Sequence, residues 1–412
     1  MNYGLIGEKL GHSFSADIHK QLFGYDYELK ELTYEELPAF LFIREFHGIN
    51  VTIPYKQTVI PYLDYIDESA QIIGAVNTIV NKNGKLYGYN TDYLGLKALI
   101  ARLGISLKEN TVLILGSGGT SKTALAVSES LGAAQSFCVS RKEREGCITY
   151  TQATELYSDA EIIINTTPCG MYPNNGESPI DLTPFSKLQG VVDVVYNPLR
   201  TKLVCDAAKR EIPAIGGLYM LVAQAAYAGA LFTGQMLQDE QIDDVYQTLF
   251  NEKQNVVLIG MPGCGKSTVG KELALQIGFD FVDTDKEIER IEGRTTPDIF
   301  STDGEAAFRQ LESSVIENIA KRQHCIIATG GGAVLNPTNM LRLRENGRIY
   351  FMDRELSLLS ATADRPLSSD REALERRYLE RYDRYCAECD VPISANGTID
   401  DVVKLIREDL TL

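Results

Sequence analysis

Two glycine-rich turns of different design constrain this chain more than any other feature, because each is entered from an apolar strand-like run and left by a helix-like run. The first, Gly116-Ser117-Gly118-Gly119, follows Thr111-Val-Leu-Ile-Leu115; the second, Gly260-Met-Pro-Gly-Cys-Gly-Lys-Ser267, follows Val256-Val-Leu-Ile259. Backbone N–H groups at such a helix start have no partner within the helix and can meet phosphate oxygens. The second turn fits the GxxxxGK[ST] phosphate cradle at every fixed position, which makes Gly263, Cys264, Gly265, Lys266, Ser267 and Thr268 its nucleotide-facing candidates. The first resembles a dinucleotide-binding turn without the full GxGxxG. Two unlike turns place two nucleotide sites on one chain.

At 412 residues the chain exceeds what one core usually supports, and about one domain per 150 residues gives two or three. Short β-type runs (residues 3–6, 48–52, 111–115, 162–166, 191–196 and 256–259) alternate with helical runs, which argues for an α/β fold of parallel sheets covered by helices. Residues 75–90 read as a hairpin turning at Asn81-Lys-Asn-Gly84, an antiparallel pair at the edge of the first sheet. The polar stretch Asn251-Glu-Lys-Gln-Asn255 is the candidate linker. The expected organisation is a substrate subdomain over 1–98 completed by helices at about 217–250, a Rossmann-like subdomain over 99–216, the linker 251–255, and a three-layer P-loop domain over 256–412.

Composition narrows the function classes. The apolar share is 44% and the charged share 23%, and no apolar run reaches the ~18 residues that span a bilayer. The N-terminus enters strand-like sequence at once, so a cytoplasmic location without a signal peptide is expected. A net charge of −16 spread along the chain would repel a phosphate backbone and argues against nucleic acid. The eight cysteines are scattered; Cys386 and Cys389 form a CxxC with no second pair to complete a zinc site and read as ordinary helix cysteines.

Several polar residues fall past the carboxyl ends of strand-like runs, where open α/β sheets bind ligands. Ser13 and Ser15 precede a helical run, a usual place for a capping serine. Asn50, Thr52 and Lys56 lie in Gly48-Ile-Asn-Val-Thr-Ile-Pro-Tyr-Lys56, Asn77 in Gly74-Ala-Val-Asn-Thr78, and Asp92 at a helix start. Singly, each has an ordinary use as surface charge, cap or turn former. Together and in this order they resemble the shikimate dehydrogenase family over residues 1 to about 250. The resemblance implies reduction of 3-dehydroshikimate to shikimate with NADPH. It also implies that Ser13, Ser15, Asn50, Thr52, Asn77 and Gln224 hold the substrate's carboxylate and hydroxyls, with Lys56 and Asp92 as the catalytic pair. Hydride delivery to a ketone builds negative charge on oxygen, which needs a proton donor or a nearby cation. The family commonly has Pro after the second serine and Asn after the histidine, where this chain has Ala16 and Lys20.

After Ser136-Phe-Cys-Val-Ser140 the chain continues with Arg141-Lys142 in place of the acidic residue that accepts from a ribose 2′-hydroxyl. Two cations suit a 2′-phosphate, so a site of Gly116, Ser117, Gly118, Gly119, Ser140, Arg141 and Lys142 favours NADP(H) over NAD. The segments Ile164-Asn-Thr-Thr-Pro-Cys-Gly-Met171, Asp193-Val-Val-Tyr-Asn-Pro198 and Gly216-Gly-Leu-Tyr-Met-Leu-Val-Ala-Gln224 resemble family motifs near the nicotinamide, which adds Tyr196 and Gly217.

Beyond the second glycine turn, Phe281-Val-Asp-Thr-Asp285, Phe308-Arg309 and Ala328-Thr-Gly-Gly-Gly-Ala333 resemble the shikimate kinase family over about residues 254–412. By that resemblance ATP binds the loop, Ser267 ligates Mg2+, and Asp283 helps to hold the ion through water. Asp285 binds the substrate hydroxyls and is the base for the attacking one. Arg309, Arg381 and the backbone of Gly330, Gly331 and Gly332 hold the substrate carboxylate. Arg365, in Asp364-Arg-Pro-Leu367, belongs to a lid and stabilises charge on the transferred phosphoryl group. Ser360-Ala-Thr-Ala-Asp-Arg365 is short and lacks the extra arginine often seen in the family.

The two resemblances imply adjacent reactions of aromatic amino acid biosynthesis in one bifunctional enzyme, monomeric or homodimeric, with small-molecule substrates and no nucleic-acid or membrane partner. Two other readings stay open at this level. One gives the first half quinate or another polyol, or the second half a different small acceptor; the other makes the first half a ligand-sensing module without turnover. Lys56 and Asp92, and the lack of a basic DNA-binding segment, count against the latter.

Overall fold

Strand-like runs that are apolar at every position belong where a parallel sheet is covered on both faces. Residues 112–115, 162–164 and 256–259 have no exposed surface, and each is a central strand of its sheet. The computed structural model describes residues 1–10, 14–359 and 371–410, and the chain divides into two compact units, Met1–Leu249 and Phe250–Leu412.

The first unit holds two six-stranded sheets. One is built from β1 (Tyr3–Gly7), β2 (Glu28–Glu31), β3 (Gly48–Val51), β4 (Tyr65–Ile66), β5 (Thr78–Lys82) and β6 (Lys85–Tyr89) in the order β2-β1-β3-β5-β6-β4. The hairpin lies inside this sheet rather than at its edge: β5 is antiparallel to both β3 and β6, while the two-residue β4 takes the edge. Asn83 and Gly84, with φ of 55° and 79°, turn it, a pairing of positive angles that Asn-Gly tolerates best.

The other sheet has β7 (Thr111–Leu115), β8 (Gln135–Ser140), β9 (Cys147–Thr149), β10 (Ile162–Asn165), β11 (Gly190–Asp193) and β12 (Ala214–Ile215) in the order β12-β11-β10-β7-β8-β9, all parallel. This is the doubly wound order of dinucleotide-binding sheets, and the Gly116 turn leaves β7 where the winding reverses. The helices Thr91–Leu103 and Leu218–Thr233 pack on each other between the two sheets. Gly95 permits the approach: a Cβ there would lie 2.8 Å from the Met220 carbonyl oxygen.

The second unit is one parallel sheet, β13 (Asn255–Ile259), β14 (Asp280–Asp283), β15 (Cys325–Ala328), β16 (Gly347–Asp353) and β17 (Val391–Ser394), in the order β14-β15-β13-β16-β17. The polar stretch 251–255 is not an irregular linker. Residues 251–253 end the helix Asp239–Lys253, and Asn255 already belongs to β13. Its side-chain amide donates to the Arg322 carbonyl and accepts from the Cys325 N–H, so its polarity is spent inside the fold.

Candidate active sites

In the first unit, the ends of β1 and β3, the start of the helix Thr91–Leu103 and the helix Leu218–Thr233 enclose a cleft of about 290 Å3. Ser15, Asn50, Thr52, Lys56, Asn77, Asp92, Tyr196, Gly217 and Gln224 all line it. Ser13 lies outside the described residues. Lys56 Nζ and Asp92 Oδ2 stand 2.6 Å apart, side chains 31% and 20% exposed, so the pair is reachable by a ligand yet partly removed from water. Asp92 is not the helix cap. Asn90 takes that duty, its Oδ1 accepting from Tyr93 N, which leaves the Asp92 carboxylate to face Lys56. Ser15 is likewise not a cap but the first residue of the helix Ser15–Phe23, preceded by Phe14.

A buried hydrogen-bond network fixes the other side chains. Tyr27 OH donates to Asn50 Oδ1 at 2.7 Å, and Asn50 Nδ2 donates to Thr78 Oγ1 and the Asn77 carbonyl. Asn77 Oδ1 accepts from Thr91 N, and the Thr91 hydroxyl reaches Gln224 Oε1 at 3.4 Å. Behind Tyr27, His19 stacks at 4.2 Å and 9°; burial lowers its pKa to about 3, so it is a neutral ring there. Asp193, fully buried between Asn165, Val195 N and Thr201, anchors the segments carrying Val194 and Tyr196, and burial pushes its carboxyl up to about 6. The sequence offers no signal for Tyr27, because an isolated Tyr beside a strand carries no pattern, and it marks Asp193 only as the start of the Asp193-Val-Val-Tyr-Asn-Pro198 segment, without a role of its own.

The Gly116 turn sits at the carboxyl end of β7 rather than on the cleft lining, which it reaches through Thr120. Gly116 has φ of 117°, a conformation that favours glycine. Gly118 precedes the helix Gly119–Ser130 with no side-chain cap, and a Cβ at Gly118 or Gly119 would meet nothing within 4 Å. Uncapped N–H groups facing open space fit a pyrophosphate. Ser140 is buried at the end of β8, and Arg141 and Lys142 follow it, exposed. Arg144, missed in the sequence because Glu143 separates it from Arg141-Lys142, donates to the Ser117 carbonyl and hydroxyl oxygens at 3.1 Å.

In the second unit a cleft of about 410 Å3 is lined by Gly263, Gly265, Lys266, Ser267, Thr268, Asp283, Asp285, Arg309, Gly330, Gly331, Gly332 and Arg381. Cys264 does not line it: its side chain is buried under the loop, with Sγ 3.8 Å from Lys266 Nζ. Arg365 lies outside the described residues. Gly260, Gly263 and Gly265 have φ of 144°, 86° and 101°, and the loop they shape lets Lys266 Nζ donate to the carbonyls of Gly260 and Met261 at 2.9 and 3.0 Å. No side chain caps the following helix Lys266–Ile277, which leaves its first N–H groups for phosphate. Ser267 Oγ donates to Asp283 Oδ2, so a hydroxyl and a carboxylate stand together as a divalent cation requires.

Asp283 also caps the helix Thr284–Glu292, accepting from the N–H groups of Asp285 and Lys286. Asp285 is thereby released from capping. Its Oδ1 is buried with no hydrogen-bond partner, and burial, then repulsion from Asp283, pushes its pKa up to about 6. Arg309 and Arg381 are not surface charges. Arg309 pairs with Glu312 at 2.9 Å and Glu305 at 3.0 Å, and Arg381, 5% exposed, donates to the Gly331 carbonyl. The three glycines are small because their neighbours fill the space. A Cβ at Gly330 would lie 2.5 Å from Asp285 Oδ1 and 2.9 Å from Glu312 Oε1, and one at Gly332 would overlap the Arg309 guanidinium. Glu312 itself was missed. It lies three residues after Arg309 on one helix face, a spacing that reads as a surface ion pair until burial is known.

Comparison with known proteins finds relatives for both halves of the chain. A family model described as "Shikimate dehydrogenase substrate binding domain" matches residues 5–79, and one described as "Shikimate kinase" matches residues 262–411. The "Shikimate dehydrogenase (NADP(+))" of Clostridium beijerinckii is 37% identical, over 61% of this chain and 98% of that protein. Among solved structures, a chorismate mutase/shikimate 5-dehydrogenase fusion protein from Clostridium acetobutylicum matches with a TM-score of 0.58 and 37% identity, covering 60% of this chain and 96% of that one. The shikimate 5-dehydrogenase of Thermus thermophilus, solved in complex with NADP(H) and shikimate, matches with a TM-score of 0.54 and 28% identity, covering 60% of this chain and 99% of that one. The chain therefore belongs to the shikimate dehydrogenase family through its N-terminal part and carries a shikimate kinase domain after it, joining the two in a single α/β polypeptide.

Proposed function

We propose that the first unit reduces 3-dehydroshikimate to shikimate and the second phosphorylates the shikimate 3-hydroxyl. The observation that carries the first assignment is the Lys56–Asp92 contact at 2.6 Å, set among Ser15, Asn50, Thr52, Asn77 and Gln224. Bound NADPH supplies the hydride. Lys56 meets the negative charge that grows on the carbonyl oxygen and donates a proton to it, while Asp92 holds the ammonium in place. The amides and hydroxyls around them orient the ring, and Arg141, Lys142 and Arg144 hold the adenosine 2′-phosphate.

In the second unit the loop N–H groups and Lys266 bind the β- and γ-phosphates of ATP. Ser267 and Asp283 hold Mg2+, which when bound neutralises charge on the phosphates. Asp285 accepts the proton of the attacking hydroxyl, and Arg309, Arg381 and the Gly330–Gly332 backbone orient the acceptor. The enzyme is read as cytoplasmic, monomeric or homodimeric, and without nucleic-acid or membrane partners. A net charge of −16 counts against nucleic acid as a partner, and among the described residues no helix is long and apolar enough to cross a membrane.

The test supplies 3-dehydroshikimate, NADPH and MgATP together and looks for shikimate 3-phosphate. Lys56→Ala is expected to abolish reduction and leave phosphorylation of added shikimate, and Lys266→Ala to do the reverse. No product from folded protein, or loss of both activities in either variant, refutes the assignment.

A further inference from the structure

Among the described residues, a cavity larger than the catalytic cleft lies elsewhere in the first unit. A groove of about 1090 Å3 runs between the helix Glu68–Ile73 of the first sheet's lobe and the helix Gly119–Ser130 of the nucleotide lobe, over the helices Thr91–Leu103 and Leu218–Thr233. None of the described residues assigned above to chemistry or ligand binding lines it. The shared element is Thr91, which borders the groove on one side and bonds Asn77 and Gln224 of the catalytic cleft on the other.

Its chemistry is specific. Rings of Tyr89, Tyr93 and Tyr227 and the side chains of Ile72, Leu94 and Met236 give it an apolar lining, with Ile72 67% and Met236 89% exposed. Carboxylates of Asp67, Glu68 and Glu129 stand around it, and among the described residues no lysine, arginine or histidine lines it. The Asp67 carboxylate is committed to Ser69, which leaves Glu68 and Glu129, one on each lobe, as the charges facing an occupant. Lys97 Nζ lies 5.5 Å from the Tyr93 ring centroid, so that ring face is already taken by the chain's own cation and the other rings, Tyr89 and Tyr227, are the ones proposed for an occupant. An apolar lining alone does not choose a sign of charge; carboxylates and ring faces together choose a cation.

We propose that this groove binds an amphiphilic organic monocation, an apolar or aromatic body carrying one ammonium group, across the two lobes of the first unit. The body fills the space between the tyrosines and Ile72, and the ammonium meets Glu68 and Glu129. Because the walls belong to different lobes, the occupant bridges them at the back of the segment that presents Asp92.

The chain contains no tryptophan, so Ile72→Trp in the full-length protein places a single indole on the groove wall. Titration with 2-phenylethylamine is expected to change its fluorescence saturably, and 3-phenylpropionate, similar in size and opposite in charge, to bind about tenfold more weakly or worse. Glu68→Gln together with Glu129→Gln is expected to weaken the amine about tenfold, and Ala126→Phe, which fills the groove, to remove the response. The proposal is overturned by equal binding of the two probes, by binding indifferent to these variants, or by no saturable response to the amine. Inhibition by the amine competitive with the reducible substrate would place it in the catalytic cleft and overturn it too. So would an indole signal that follows protein concentration and dimer formation without any probe, which would make the groove a contact between copies.

Discussion

Glu312→Gln should make the second unit more stable at alkaline pH while leaving it nearly unchanged in acid. Glu312 is 1% exposed, and burial pushes its carboxyl from 4.5 to about 7 against the attraction of Arg309. The unfolded chain releases this proton near pH 4.5 and the folded chain near 7, so in between the folded state holds one proton more. Stability from this group is therefore full below the unfolded pKa and is lost as pH rises through the folded one. A shift of this size corresponds to about 3 kcal/mol at 1.36 kcal/mol per unit. Glutamine has the same shape and stays neutral, and Arg309 keeps Glu305 at 3.0 Å. At about pH 3.5, below the unfolded pKa, parent and variant should match, and at about pH 8 the variant should exceed the parent by about 2–3 kcal/mol. The assay is denaturant-dependent hydrogen exchange on the full chain, read from peptides covering β13 and β15, because two units need not unfold together. Parallel pH dependences for parent and variant would refute the reasoning, since they would mean that Glu312 ionises as readily folded as unfolded.

Three further substitutions separate the roles of side chains around the clefts. Tyr27→Phe removes the donor that fixes Asn50 and should raise KM for 3-dehydroshikimate about fivefold, with kcat and KM for NADPH unchanged; a fall in kcat alone would contradict a positioning role. Arg144→Ala should lower kcat/KM with NADPH by about tenfold or more while sparing NADH, and equal losses with both cofactors would show that it only braces Ser117. Gly330→Ala should suppress phosphorylation in protein that still folds and still reduces, because the new methyl group displaces Asp285 and Glu312; retained kinase activity would mean that both carboxylates move aside freely.

The layered α/β class was legible because buried parallel strands leave unbroken apolar runs, as at residues 112–115 and 256–259. The turns were legible because backbone approach to phosphate demands glycine at positions such as Gly116 and Gly265. Pairings across long stretches of chain were not: nothing in the spacing of Lys56 and Asp92 brings them together, and they were found through resemblance. The place of the hairpin was missed because its alternating polarity describes any half-covered strand, and only the register of β3 with β5 sets it inside the sheet. Residues 251–255 look like a linker by polarity alone, yet Asn255 spends its amide on β15 and its neighbours close a helix. Glu312 has the spacing of a surface ion pair, and only the fold reveals that it is buried.

Cap and proposed catalytic carboxylate are divided in the same way in both units. Asn90-Thr91-Asp92 and Asp283-Thr284-Asp285 each open a helix with the first residue as the cap, a fully buried threonine second and the aspartate proposed for catalysis third. The cap satisfies the free N–H groups, so the third residue need not fold back onto its own helix. The threonine hydroxyl ties the turn to a neighbouring segment, Thr91 to Asn77 and Thr284 to the N–H of Gly330. The aspartate is then aimed into the cleft from the positive end of a helix, and its remaining neighbours decide what it does. Lys56 stands against Asp92, so that carboxylate serves to hold a cation. Asp283 stands behind Asp285, and burial with that second carboxylate raises its proton affinity towards the range in which a base exchanges protons near neutrality. One local device thus yields an ion pair in one unit and a carboxylate of raised proton affinity in the other, and the difference lies in the groups that face each aspartate.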